Sequence, residues 1–368
     1  MWGMASRVIG FAAVLAASAS VPDTSADSLS YAQMPISDAP TAQNGPQSGF
    51  GAFSGQLRAR AAAEGVSDRT LDQVIPDLTF LPRVVELDRA QPGGAPGTAI
   101  PRFAPYRARH VDIARIERGR SRYLALRPLL ERVEAETGVP EEIMLAIYGH
   151  ETNYGSFTGN FDLLNSLATL AYEGRRRELF TAEFIATLKM MDRGYPRSKL
   201  KGSWAGATGY PQFLPSMYLR VARDGDGDGR ADIWASEPDA LASIANYFVN
   251  AGWRRGVPWG VPVTLPEAFE TSRFVARTVS PRCERVFSRH SQWRTVAEWR
   301  ALGVLPQRTS LRETELVTLF QPDGPNTPAW LLTGNYRVIL DYNCSNFYAL
   351  SVGLLADAVA TGVPDEKI

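Results

Sequence analysis

The 368-residue sequence predicts an α+β fold that is mainly α, and three observations carry that prediction. Apolar residues recur at helical spacing in separate runs between Phe50 and Ala251. After Gly260 the pattern changes to short β-branched and aromatic runs, Val261–Leu265, Glu313–Phe320 and Ala329–Asp341, with Gly334-Asn335 read as a hairpin turn. Helical spacing then returns from Phe347 to Ala360.

Taken in order, Arg7 precedes an apolar stretch, Val8 to Ala17, and small residues follow through Ala26. That order reads as a removable export signal over 1–26, cleaved after Ala17, Ser20 or Ala26, with a disordered tail as the alternative. Residues 27–47, rich in Ser, Ala, Pro, Asp and Gln, have little to bury and read as a linker. No cysteine precedes Cys283, so lipid attachment at the cleavage site is not expected, and the mature chain is expected to be soluble.

A helical domain is expected over 48–136. Leu57, Ala61 and Ala62 share a face, Ser67 stands as an N-cap before Leu71 and Val74, a Gly/Pro-rich loop spans Gln91 to Pro101, and a helix covers Ile113 to Glu136. A second block, 137–259, opens at Pro140-Glu141-Glu142, with proline in the first turn and acids at the positive end of the dipole. Ile143 to Ile147 is almost continuously apolar, which predicts a buried helix ending near Asn153-Tyr154-Gly155. Further helices are expected at Leu163–Tyr172, Leu179–Met191 and Ala240–Ala251. A small β-rich domain over 260–341 and a returning segment over 342–368 complete the division.

Composition removes several classes of function. Thirty-nine basic residues balance thirty-nine acidic ones, so no global field draws the chain to nucleic acid or anionic lipid. No apolar run is long enough to span a bilayer, so no membrane anchor is expected. Histidines at 110, 150 and 290 are too scattered for a metal site, and neither a G-x-S-x-G elbow nor a phosphate-binding glycine loop is present. Cys283 and Cys344, the two cysteines of the chain, form a candidate disulfide in an oxidising compartment; two buried thiols are the alternative.

Glu151 is the candidate catalytic group. It ends the apolar helix, where burial and the negative end of the dipole both disfavour a carboxylate and raise its pKa. A carboxyl protonated near neutrality can protonate a glycosidic oxygen. A lone glutamate at a helix end is ordinarily a solvated charge. The string Gly149-His150-Glu151-Thr152-Asn153-Tyr154-Gly155 sharpens the reading. His150 is read as structural or rim-lining.

The surrounding residues resemble the lytic murein transglycosylase B family, glycoside hydrolase family 103. Three blocks carry the likeness: Ala146 to Gly155 followed by Asn165-Ser166-Leu167-Ala168-Thr169-Leu170, then Lys201 to Ser216 with its Gly209-Tyr210-Pro211-Gln212-Phe213 core, and Tyr342-Asn343-Cys344-Ser345-Asn346-Phe347-Tyr348-Ala349. The resemblance implies a lysozyme-like helical core, a helical N-terminal domain and a small β-rich insertion, in the periplasm. It makes Glu151 the acid/base. It also places Ser203, Gln212, Tyr247, Tyr342, Asn343 and Tyr348 along a sugar cleft, with Tyr106 as a further cleft tyrosine. Arg175 and Arg176 match a basic pair suited to stem-peptide carboxylates; a charged helix face is the alternative. Thr208, Pro211 and His150 depart from the residues that other members often carry.

The implied reaction is cleavage of the bond between N-acetylmuramic acid and N-acetylglucosamine with a 1,6-anhydro product and no cofactor for the chemistry. Ordinary glycosidases need two carboxylates, and a single one suffices where the substrate supplies the missing group. Ser203 is expected to orient the acetamido group, and Tyr247, Tyr342 and Tyr348 to offer stacking faces. The partners are peptidoglycan strands, with cell-wall synthesis proteins as a second class. A hydrolytic muramidase with the same acid and a decayed wall-binding protein are the alternative functions.

Asp224, Asp226 and Asp228, with Gly229 at position six, follow EF-hand spacing, and Arg230 offers its carbonyl. Position twelve is Ala235, where a glutamate is usual. The resembling family closes a variant loop with a later aspartate, which makes Asp239 the fitting ligand and Glu237 its competitor. The expected role is a weak structural Ca2+ site; a solvated Asp-Gly turn is the alternative.

Overall fold

A computed structural model describes residues 49–90, 101–276, 284–308 and 310–361. The expected export signal, the linker and nearly all of the 91–101 loop lie outside the described residues. The described chain divides into two compact units: one holds 101–160 and the described residues from 206 onward, the other 49–90 and 161–205. The expected 48–136 block is therefore shared between them.

In the second unit, Phe50–Ala63, Asp68–Val74, Pro82–Arg89, Leu163–Glu173 and Arg177–Asp192 are helices. Ser67 caps Asp68–Val74 as its sequence position predicts, accepting from the Thr70 amide, while its hydroxyl donates to Asp192 at 2.6 Å. Two-residue strands at 161–162 and 201–202 pair antiparallel.

The first unit is built around the helix Glu141–Thr152, in which Ile143 to Gly149 are all buried. It packs against Ile113–Thr137, Glu237–Asn250 and Asn346–Ala360. The long helix Ile113–Thr137 starts at an Asp112 cap and stops at Gly138, whose φ of 73° suits a residue without Cβ. Each fully buried Leu or Ile of this core stabilises the fold by about 1.5–3 kcal/mol.

A five-stranded antiparallel sheet runs in the order Arg294–Thr295, Leu316–Phe320, Ala329–Leu332, Gly260–Thr264, Leu305–Pro306. Val261 faces Leu331 and Val263 faces Ala329. These residues, with Val296, Trp299, Val317 and Leu319, form its core.

The expected strand over Ala329–Asp341 is corrected. It ends at Leu332, and Gly334–Tyr342 is a helix capped by Thr333. Asn335 makes no hairpin; it is fully buried and donates to the carbonyls of Arg254 at 2.9 Å and Val257 at 2.6 Å, while accepting from the Arg254 amide. Tyr336, Val338, Ile339 and Leu340 bury a helical face, and their β-branched members gave the run its strand-like composition. Glu313 to Glu315 also stay out of the strand: the carbonyls of Glu313 and Glu315 accept from the amides of Ala297 and Val296, and the Glu315 side chain is held by both Nη atoms of Arg254 at 2.5 and 3.1 Å.

Candidate active site

The Glu141–Thr152 helix starts at Pro140, an extended residue that caps it, and ends where Asn153, Tyr154 and Gly155 take φ values of 51°, 57° and 82°. Two consecutive non-glycine residues in the left-handed region cost about 1–2 kcal/mol each. Packing holds them there. The Tyr154 ring fills a notch between Gly119 and Gly149, and a Cβ on Gly149 would meet it at 2.6 Å. Thr152, given no role from the sequence, ties the helix end down. Its hydroxyl lies 3.2 Å from the Tyr210 carbonyl and accepts from the Gly155 amide at 3.0 Å. The helix end is thereby fixed to the Gly-Tyr-Pro-Gln turn.

That turn is a tight hairpin in which Thr208 and Phe213 exchange two backbone hydrogen bonds. Gly209 has φ 69°, and a Cβ there would meet the Ile233 carbonyl at 2.8 Å, so only glycine fits. Gln212 is also left-handed, at φ 49°. Its side-chain amide donates to the Gly209 carbonyl at 3.0 Å and the Thr158 carbonyl at 3.1 Å, bridging the turn to the loop after Glu151.

Glu151 accepts a hydrogen bond from Tyr348 at 2.5 Å. Burial pushes its carboxyl up to about 7, opposed by the Tyr348 hydroxyl. Tyr106 senses the same carboxylate: burial and then the Glu151 charge push its hydroxyl up to about 12. Its ring stacks on His110 at 3.9 Å, and His110 stacks in turn on His150 at 5.8 Å. Burial first, then Arg115 and His110, drives His150 down to about 3, so it is a neutral structural imidazole at physiological pH. Tyr342 donates to the Pro211 carbonyl at 2.5 Å, and Asn343 caps its helix, buried beside it in sequence.

The three tyrosines expected to offer stacking faces are all buried. Tyr348, Tyr247 and Tyr342 are only 4, 6 and 9 % exposed. Tyr247 meets Tyr342 edge-on at 4.8 Å, and Tyr342 also stacks on Phe248. Tyr348 packs instead against the His150 ring at 5.4 Å. Of the three, Tyr348 is the one whose hydroxyl donates to Glu151.

Ser203, Arg175 and Arg176 belong to the other unit. There both arginines grip Asp88, whose side chain is 1 % exposed, at 2.7 and 2.5 Å. Removal of either guanidinium leaves a buried carboxylate with less compensation, so the pair has a structural task whatever else it does.

In the acidic loop, Asp224, Asp226 and Asp239 present ligand oxygens within 4.8 Å of one another. Asp228 is not in that trio; its Oδ1 accepts from the Arg230 amide at 2.8 Å. Glu237 is engaged elsewhere, accepting from the Tyr148 hydroxyl at 2.9 Å and pairing with Arg122 at 3.2 Å, which removes it as Asp239's competitor. Burial raises the Asp239 carboxyl, and backbone amides of Gly225 and Asp232 oppose that rise. Gly225 passes so close to the Pro238 carbonyl that no Cβ fits. Three carboxylates and no softer ligand suit a hard cation. Cys344 is disulfide-bonded, and Cys283, the one other cysteine in the sequence, lies outside the described residues.

The family described as Transglycosylase SLT domain matches residues 49–357. The chain is 32% identical over 262 residues to the membrane-bound lytic murein transglycosylase B of Escherichia coli K12, a match covering 69% of this chain and 66% of that relative's length. Among solved structures it is similar to SltB3 from Pseudomonas aeruginosa in complex with NAG-NAM-pentapeptide, with 38% identity and a TM-score of 0.76 over 85% of this chain and 80% of that one. It is also similar to the Escherichia coli lytic transglycosylase Slt35 in complex with calcium, with 29% identity and a TM-score of 0.68 over 84% and 92% of the two chains. With most of its length matched by sequence and by fold, the chain belongs to the Transglycosylase SLT domain family, that of the lytic transglycosylases.

Proposed function

We propose that this chain cleaves the β-1,4 bond between N-acetylmuramic acid and N-acetylglucosamine in peptidoglycan, with Glu151 acting first as acid and then as base. The carrying observation is the Glu151 carboxyl itself, pushed up to about 7 by burial, with no second carboxylate among the groups that shift it. Glu151 gives its proton to the glycosidic oxygen as the C1–O bond breaks, and the muramoyl N-acetyl oxygen stabilises the cationic C1. The resulting carboxylate takes the proton of the sugar's own 6-hydroxyl, O6 bonds to C1, and Glu151 is again protonated. No water enters.

Within this reading Tyr348 holds the acid in place and steadies its carboxylate form, and Tyr106 borders the same charge. Ser203 orients the acetamido group. Arg175 and Arg176 face stem-peptide carboxylates with whatever donor capacity Asp88 leaves them. Asp224, Asp226 and Asp239 hold a structural Ca2+ remote from the chemistry, which removes their mutual repulsion. The enzyme works in the periplasm after removal of residues 1–26; among the described residues no helix is long and apolar enough to cross a membrane.

Mass spectrometry of muropeptides released from purified sacculi tests the reading. Products lighter by one water than their reducing counterparts are expected. Reducing ends indicate a hydrolytic muramidase, and no release at all indicates a decayed site.

A further inference from the structure

We propose that Phe157 is a stacking platform for a pyranose ring of the glycan, displayed beside the acid by the turn that ends the Glu151 helix. The inference deepens the glycan-cleaving reading above and rests on it. Phe157 is 73 % exposed, in contrast to the buried tyrosines that line the acid. Nothing in the fold's own core uses its ring.

The backbone that carries it is nonetheless firmly held. The Phe157 amide donates to the Thr152 carbonyl at 3.0 Å, the Ser156 hydroxyl donates to the Asn153 carbonyl at 2.9 Å, and the Gln212 amide donates to the Thr158 carbonyl at 3.1 Å. The first of these bonds brings residue 157 back to the residue that follows Glu151. Single exposed apolar side chains are common on protein surfaces, and Phe157 differs in standing on a pinned turn that follows the Glu151 helix, where covering the ring is favourable and the turn loses little further entropy on binding.

The chemistry of the occupant follows from the ring. One face of a pyranose presents axial C–H bonds with slight positive charge, and the face of an aromatic ring carries the negative part of its quadrupole. Tyr348, Tyr247 and Tyr342 leave little ring face open, whereas Phe157 offers most of its own. Gln212 then acts as a positioning residue: its amide fixes the height of the Phe157 loop against the Gly209–Gln212 turn.

The test measures binding rather than turnover. In a Glu151→Gln background, affinity is measured for a peptide-free GlcNAc–MurNAc tetrasaccharide and for the same glycan bearing its peptides. Phe157→Ala is expected to weaken both by roughly threefold to tenfold, Phe157→Leu to weaken them nearly as much, and Phe157→Trp to bind at least as tightly as the parent. Melting temperatures should be unchanged, because the ring is exposed. An unchanged affinity in Phe157→Ala overturns the proposal. So does a loss confined to the peptide-bearing ligand, which marks a peptide contact, or full retention by Phe157→Leu, which marks an ordinary apolar contact. If the Glu151→Gln parent binds neither ligand, the glycan reading itself falls and this inference falls with it; parental binding with an indifferent Phe157→Ala removes the platform alone.

Discussion

The two ends of the Glu141–Thr152 helix each carry a carboxyl pushed up to about 7, and they reach that value against different fields. At the C-terminal end, burial raises Glu151 and one tyrosine hydroxyl opposes it. At the N-terminal end, the dipole favours a carboxylate by about 0.3–1 kcal/mol, yet Glu142 is raised all the same. Burial is the largest cause, with its own backbone hydrogen bond opposing and the charges of Glu134, Glu141 and Asp357 adding to the rise. Each pKa unit corresponds to about 1.4 kcal/mol, so desolvation and like charges together outweigh the dipole. A perturbed carboxyl alone therefore does not identify an acid catalyst. The surroundings of the two differ: Glu151 meets the Tyr348 hydroxyl, whereas Glu142 sits among other acids.

The comparison breaks first under substitution at 151. Glu151→Gln should lower the rate of muropeptide release by at least about a thousandfold, while Glu142→Gln leaves that rate within a factor of two or so. Equal losses at both positions would erase the distinction. The pH profile sharpens it: because the acid must be protonated, kcat/KM should fall as pH rises through about 7 and be flat below that point on this limb.

Tyr348→Phe comes next. It removes the hydroxyl that lowers the Glu151 pKa, so the alkaline limb should move to higher pH while the maximal rate drops by about tenfold. A fall in rate with an unmoved limb would assign Tyr348 to packing alone.

Stability gives the smaller effects. A carboxyl whose folded pKa lies above its unfolded value keeps its proton in the native state between about 4.5 and 7, so stability declines across that interval and is level above it. Glu142→Gln removes the Glu142 share of this decline and leaves that of Glu151, raising the melting temperature at pH 8 by roughly 2–4 °C and leaving it unchanged at pH 4. The proposed calcium site, the trio of Asp224, Asp226 and Asp239, exists only in the folded chain, so on that proposal saturating Ca2+ should raise the melting temperature by a few degrees as mass action requires. Asp239→Asn should abolish that increment, and identical curves with Ca2+ and with chelator would count against the site.

Much of this was legible before any coordinates. The buried helix, its stop at Asn153, the Ser67 cap and the final helix follow from periodicity and turn chemistry, which are local signals. The place of Glu151 at the end of a buried apolar helix was legible from the string around it. What escaped depends on distant partners. Gly334-Asn335 has the composition of a hairpin, and only the carbonyls of Arg254 and Val257 explain why Asn335 is buried in a helix instead. The tyrosines carry aromatic character in sequence but not their burial, which depends on the elements packed around them. Phe157 gave no signal, since exposure of a single ring is a property of the surface around it.

The Tyr154 ring between Gly119 and Gly149 has a consequence for how this protein can change. Three positions, thirty-five residues apart at their widest along the chain, share one volume. A methyl gained at 149 needs a ring lost at 154, and a smaller ring at 154 opens a void beside both glycines. Drift or design at the acid's own helix therefore proceeds through joint replacements, and libraries that vary one of the three positions singly should return almost nothing but the parent residue.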